Sequence, residues 1–213
     1  MRINIDLDCT LNNLVNVWCE TLNSVYGTNV LYEDIINYNI QEFFPSLNKE
    51  QVYNPLYLES FWSKTKPIEN SQEFLKKLYD DKHDINIVTS THYSNARVKT
   101  EWIMEYFPFI HWKKINIIHD KKRFTGDYLI DDHIDNLIGF DGRRILYTQP
   151  WNKKYSSSEL DMLNITRVNN WEEIYNIVPK PHPCGKNKKT FDFECLNCPF
   201  GYDDDGGIYC GHK

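Results

Sequence analysis

The chain has 213 residues, 41% of them hydrophobic and 15% aromatic, which suits one domain with a sizeable core and leaves room for a small second module. Its formal charge of −6 argues against a protein that coats nucleic acid by bulk electrostatics, but leaves a phosphate substrate open because a bound cation reverses the local field. No apolar run reaches membrane-spanning length and an apolar strand follows directly on Met1-Arg2, so neither an anchor nor a signal peptide is expected and a reducing cytoplasm is the default compartment.

The first predicted element is a strand, with Ile3, Ile5 and Leu7 apolar as in a buried sheet. It ends in Asp6 and Asp8, two carboxylates two residues apart that can face the same side of the strand end. Alone, this Asp-x-Asp is as ordinary at a strand end before a helix cap as it is at a reaction centre. Leu11, Leu14, Val15, Trp18, Leu22 and Val25 follow at helical spacing, predicting a helix to about Tyr26 that Gly27 ends. Trp18 is assigned to the core.

Residues 28–67 break the pattern. Short helices are expected over Asp34 to Phe44 and Asn48 to Tyr57, the second with Asn48 as N-cap and Gln51 three residues on. Phe43, Phe44, Tyr53, Tyr57, Phe61 and Trp62 make the segment aromatic, as core or as a lid over a phosphate site. A helix capped by Asn70 or Ser71 comes next. Then follow a strand Ile85 to Ser90, a helix Asn95 to Tyr106 with Val98, Trp102 and Ile103 inward, and strands at Ile115–Ile118, Tyr128–Ile130 and Arg144–Tyr147. A last helix is expected over Trp171 to Val178. The alternation predicts an α/β fold, a Rossmann-like parallel sheet with helices on both faces.

Ligands of such sheets bind beyond the carboxyl ends of the strands, and polar residues recur there: Asp6 and Asp8, Thr89 and Ser90, Lys121, Asp131 and Asp132. Each has a plain reading as a cap or solvated loop residue. Together they fit attack by a carboxylate on a phosphate monoester, where a hard cation must bridge two anions. Asp6, Asp131 and Asp132 would supply oxygens to Mg²⁺, with the Asp8 backbone carbonyl as one more. Thr89 would hold a phosphate oxygen, Lys121 would neutralise charge, and Asp8 would carry the proton.

In order, Asp6-Leu7-Asp8-Cys9-Thr10, Val88-Thr89-Ser90, Asp120-Lys121 and Ile130-Asp131-Asp132 resemble the four motifs of haloacid dehalogenase-like phosphohydrolases. They are most similar to the 5′(3′)-deoxyribonucleotidase branch, over about residues 1–178. The resemblance implies Asp6 as the residue that becomes phosphorylated, Asp8 as acid/base, Thr89, Ser90 and Lys121 as phosphate ligands, and Asp6, Asp8, Asp131 and Asp132 around Mg²⁺. It also implies a helical cap at about 28–67. Four departures stand out: Cys9 where glycine is usual, His119 where arginine is frequent, Leu14 where a stacking phenylalanine is frequent, and Pro67-Ile68-Glu69-Asn70-Ser71 without a Pro-Gly turn.

Pro179, Pro181 and Pro183 mark a linker to a second module, 179–213, with Cys184, Cys195, Cys198 and Cys210. One Cys-x-x-Cys pair and two distant cysteines in a reducing compartment suit structural Zn²⁺, the alternative being a tail with incidental thiols. The sequence therefore predicts a Mg²⁺-dependent phosphomonoesterase for nucleoside monophosphates, with another small phosphate ester as the alternative substrate. No membrane partner is expected, nucleic acid only through the tail, and a homodimer is compatible with the reading.

Overall fold

Buried apolar residues on either side of each other in sequence need cover on both sheet faces, and the chain meets that need with six parallel strands. They are β1 (Arg2–Ile5), β2 (Asp84–Thr89), β3 (Ile115–Ile117), β4 (Tyr128–Asp131), β5 (Arg143–Tyr147) and β6 (Ile165–Val168), in the order β3-β2-β1-β4-β5-β6. The computed structural model describes residues 1–180 and, as backbone, 201–204 and 207–210. β1 is central, with Ile5 in register with Ile87 of β2 on one side and Ile130 of β4 on the other. The chain runs outward from β1 to β3 and then returns to β4, so the topological switch lies between β1 and β4. A ligand crevice belongs at that point.

The helices are α1 (Leu14–Tyr26), α2 (Lys49–Tyr53), α3 (Glu59–Trp62), α4 (Ser71–Asp80), α5 (Ala96–Tyr106), α6 (Ile134–Leu137), α7 (Ser157–Met162) and α8 (Trp171–Ile177). α1 buries Leu14, Val17, Trp18 and Leu22, the i, i+3, i+4, i+8 face, and Gly27 closes it at φ 67°, its N–H donating to Asn23 O at 2.9 Å. The helix starts three residues later than its spacing predicts. Asn12 intervenes, its Oδ1 accepting from Cys9 N and Leu14 N at 3.1 Å each, which holds residues 8–13 as a turn.

The cap differs from expectation in its first half. In place of a helix over 34–44 there are two 3₁₀ turns, Tyr32–Asp34 and Ile40–Phe43. Asn37 explains the break: its Oδ1 accepts from Asn39 N at 2.9 Å, a local bond that competes with helix. The second half holds the predicted capping box, Asn48 Oδ1 accepting from Gln51 N and Gln51 Oε1 from Asn48 N, both at 2.9 Å. The box starts α2, and 3₁₀ turn Asn54–Tyr57 and α3 follow. Asn70 precedes α4 without capping it. It sits at φ 60°, the left-handed conformation a glycine would take, and its side chain makes no cap bond. β6, α6 and α7 have no counterpart among the predicted elements, each being only four to six residues long and mixed in polarity.

The first unit of the chain is Met1–Ile177; in the second, Val178–Lys213, the described backbone is an antiparallel pair, β7 (Gly201–Asp204) and β8 (Gly207–Cys210). The proposed zinc ligands Cys184, Cys195 and Cys198, and the side chain of Cys210, lie outside the described residues. Among the described residues no helix is long and apolar enough to cross a membrane.

Candidate active site

The carboxyl ends of β1 and β4 carry three aspartates into one buried cluster. Asp6, Asp131 and Asp132 are each at most 4% exposed, and each offers an oxygen within 4.8 Å of the others. Asp6 is fixed by its backbone, its N–H donating to Ile130 O at 2.9 Å, which continues the β1–β4 ladder one residue past the strand. Lys121, from the turn after β3, places its Nζ 2.5 Å from Asp6 Oδ1 and 2.9 Å from Asp131 Oδ2. Burial alone would discharge this lysine, but the two carboxylates outweigh it and raise its pKa above the ordinary lysine value.

One ammonium does not neutralise three carboxylates. Burial pushes Asp6 up to about 7 against the pull of Lys121, with Asp131 and Asp8 adding to the rise. Burial, then Asp131 and Asp6, push Asp132 well above the ordinary carboxylate range. The three also differ in what they have left to give. Asp131 is already engaged on both oxygens: they accept from Asn136 Nδ2 at 3.0 and 3.1 Å, and its Oδ1 also from His133 N at 2.8 Å. Asp132 Oδ1 is buried and has no partner. A buried carboxyl group with an orphaned oxygen, beside two more, is the donor set of a hard cation, so the residues present fit Mg²⁺. Its ligands would be Asp6 and Asp132, with Asp131 completing the set.

A second cluster stands beside the first. Asp8 is partly exposed and its side chain lies outside the carboxylate trio; it pairs instead with Lys99 of α5 and accepts from Asn12 Nδ2 at 3.1 Å. Lys99 is 3% exposed and also reaches Thr89 Oγ1 at 3.3 Å and Ser90 O at 3.1 Å, with the Trp62 ring 5.3 Å beneath its ammonium. Thr89 is fully buried, whereas Ser90 is exposed and lines the cavity. Sequence reasoning missed Lys99. The signal was its spacing, since 99, 102 and 103 share one face of α5 and the other two are the buried Trp102 and Ile103.

Both clusters open into a cavity of about 440 Å³. Its polar end holds Asp6, Asp8, Lys121 and Asp132, and its apolar wall includes Leu14, Trp18, Ile35 and Tyr53. Trp18 is buried as expected and yet is part of that wall. Of the six aromatics expected as core or lid, only Tyr53 lines the cavity; Phe44, Phe61 and Trp62 are core, at most 3% exposed. Tyr38, absent from that set, lines it too.

Cys9 also touches the cavity. It holds φ 57°, which explains why glycine suits this position, and burial followed by Asp132 pushes its thiol pKa up, so it is no thiolate nucleophile.

Comparison with known proteins identifies the family. Residues 1–182 match the family model described as 5′ nucleotidase, deoxy (Pyrimidine), cytosolic type C protein. The chain belongs to the cytosolic type C 5′-nucleotidase family. It is 32% identical over 174 residues to a 5′(3′)-deoxyribonucleotidase of Bacillus subtilis, covering 81% of this chain and 95% of that one. A 5′(3′)-deoxyribonucleotidase of Clostridium acetobutylicum is 34% identical over 154 residues, 71% of this chain and 83% of its own. Among solved structures, a candidate phosphatase from Clostridium difficile superposes with a TM-score of 0.55 at 18% identity, over 82% of this chain and 96% of that one. As a member of this nucleotidase family the chain is a phosphoric monoester hydrolase of haloacid dehalogenase-like fold. The cluster at the β1–β4 switch is its candidate active site.

Proposed function

We propose that the chain hydrolyses nucleoside monophosphates, as a 5′(3′)-deoxyribonucleotidase-like enzyme, with Mg²⁺ and through an aspartyl-phosphate on Asp6. Residues 1–178 would be the phosphatase domain, with its cap at about 28–67. The observation that carries the reading is the division between Asp6 and Asp8. Two carboxylates two residues apart are held by different lysines, one inside the trio and one outside it at the cavity. The deoxyribonucleotidase relatives support the substrate class.

In the first step an Asp6 carboxylate oxygen attacks phosphorus, the bond from phosphorus to the ester oxygen breaks, and that oxygen takes a proton from Asp8. In the second, Asp8 accepts a proton from water as the water oxygen attacks phosphorus. The bond between phosphorus and Asp6 breaks, releasing inorganic phosphate and restoring the Asp6 carboxylate and the protonated Asp8. Lys121 offsets charge on the phosphoryl oxygens, and Thr89 Oγ1 offers a hydrogen bond without adding charge. Lys99 ties the acid/base carboxylate to that hydroxyl. A bound Mg²⁺ would supply the charge that lets an anionic nucleophile approach an anionic ester.

The test is acid-quench trapping with phosphate-labelled deoxynucleoside monophosphate. The native protein should retain label in a linkage cleaved by hydroxylamine, and Asp6→Asn should retain none and turn over nothing. Undiminished turnover by Asp6→Asn would overturn the assignment. A panel of 5′- and 3′-nucleotides and sugar phosphates then separates the nucleotide reading from another small phosphate ester.

A further inference from the structure

The cap reaches the metal-type carboxylate directly. Asp132 uses only one of its two oxygens: Oδ2 accepts from Trp151 Nε1 at 2.8 Å and from Tyr38 OH at 3.3 Å, while Oδ1 has no partner. Trp151 is buried in the turn after β5, whereas Tyr38 belongs to the cap, between its two 3₁₀ turns. Asn152 of the same turn donates to Asp132 O at 2.9 Å, so backbone and carboxylate of this residue are both oriented. The Tyr38 ring stands edge-on to His133 at 3.6 Å and to Trp151 at 6.0 Å between centroids. A second cap tyrosine holds the same turn: Tyr32 is edge-on to Trp151 at 6.0 Å, and its hydroxyl donates to Gln149 Oε1, whose Nε2 donates to Cys9 O. One cap segment thus grips the loop behind β4, the turn after β5 and the loop that carries Asp6 and Asp8.

We infer that Tyr38 is a positioning residue which, with Trp151, turns Asp132 so that Oδ1 faces the cation, and that this contact couples cap closure to metal binding. The inference rests on the metal reading given above. Its physical basis is that hydrogen-bond partners behind a metal ligand fix its orientation and typically change affinity 10- to 100-fold when removed. Because Tyr38 rides on the cap, that bond exists only while the segment is closed. Linkage then requires that metal binding favour the closed segment by the same factor by which closure favours metal. Tyr32 and Gln149 hold the segment without touching Asp132 and belong to the closure, not to the ligand.

The experiment uses the full chain and Mn²⁺ alone, followed by its electron paramagnetic resonance signal, in native protein and Tyr38→Phe. That substitution keeps the ring contacts and removes only the hydroxyl. Native protein should bind one Mn²⁺ and Tyr38→Phe should bind it ten-fold or more weakly, with the metal-free Tm of the two alike. In parallel, hydrogen exchange of amides 32–43 should slow on adding Mn²⁺ to the native protein, and slow less in the variant. Native protein that binds no Mn²⁺ overturns the metal reading itself. Native binding with equal affinity in Tyr38→Phe, or a variant whose only change is a lower metal-free Tm, overturns the coupling and leaves the metal reading intact. If Tyr38→Phe does not fold, the exchange experiment on native protein decides, and amides 32–43 indifferent to Mn²⁺ overturn the coupling.

Discussion

Removing the charge of Asp6 should destroy activity and stabilise the metal-free protein. The ordinary aspartate pKa of 3.8 rises to about 7 on folding, with burial the main cause. A raised carboxylate destabilises the folded state only where the unfolded chain would ionise it, so the penalty is absent below pH 3.8, grows through the interval and is constant above about pH 7. At about 1.4 kcal/mol per tenfold change in proton affinity, the ceiling is about 4 kcal/mol at pH 8 and about 1.5 kcal/mol at pH 5. Asp6→Asn keeps the shape and removes the charge. It does not strand Lys121, whose Nζ stays 2.9 Å from Asp131 Oδ2. For a chain of this size each kcal/mol moves Tm by about 2–4 °C, so metal-free Asp6→Asn should melt several degrees above the native protein at pH 8. The assay is calorimetry in chelator at pH 5 and pH 8, repeated with saturating Mg²⁺ at pH 8. Saturating Mg²⁺ should reverse the order, because only the native carboxylate repays its burial when the cation binds. A metal-free variant no more stable than native protein at pH 8, or an advantage as large at pH 5, would refute the reasoning.

Lys99→Met should lower kcat by about 10- to 100-fold with a smaller change in KM, because the ammonium orients the proton carrier and the threonine hydroxyl; steady-state kinetics check it. Cys9→Val should cost about 2 kcal/mol or more by denaturant titration, since a β-branched residue is forced into φ 57°, whereas Cys9→Gly should change stability by less than about 1 kcal/mol. His83 is buried with neither ring nitrogen bonded, and burial lowers its pKa below the ordinary 6.5. Its folded form is therefore the neutral one, stability is full above pH 6.5 and falls as pH drops through the lowered value, and His83→Leu should flatten that fall in denaturation midpoints measured between pH 5 and 7.5.

The site was legible because its residues lie where strands end. Asp6, Thr89, Lys121, Asp131 and Asp132 fall at the carboxyl ends of four apolar runs, and a parallel sheet brings those ends to one edge whatever the connections do. Lys99 was not legible in the same way, since it sits mid-helix at a position that reads as surface until Trp102 and Ile103 are seen to share its face. Tyr38 and Trp151 were out of reach for a different reason. They meet at Asp132 from segments more than a hundred residues apart, and neither lies in a periodic element. The cap misled where Asn37 and Asn39 bond locally, because apolar spacing over 34–44 counts side chains and not the competition for backbone.

The packing of the cap constrains how such an enzyme can open. Phe44, Val52, Phe61 and Trp62 form one buried cluster with Leu14, Val17, Trp18 and Leu22 of α1, so the cap has no core of its own to carry with it. Lifting it as a body would expose those side chains at about 1.5–3 kcal/mol each, more than an ordinary lid motion can recover. The stretch around Tyr38 commits less to that cluster: Ile35 and Ile40 are buried in it, but Leu31, Ile36 and Tyr38 are more than half exposed, and 3₁₀ turns hold the stretch with few backbone bonds. Opening should therefore be local, a release of the segment over residues 32–43 while α2 and α3 stay in place. Native-state hydrogen exchange distinguishes the two motions. Amides of 32–43 should exchange well ahead of those in 49–62, whereas a rigid lid would expose both stretches together.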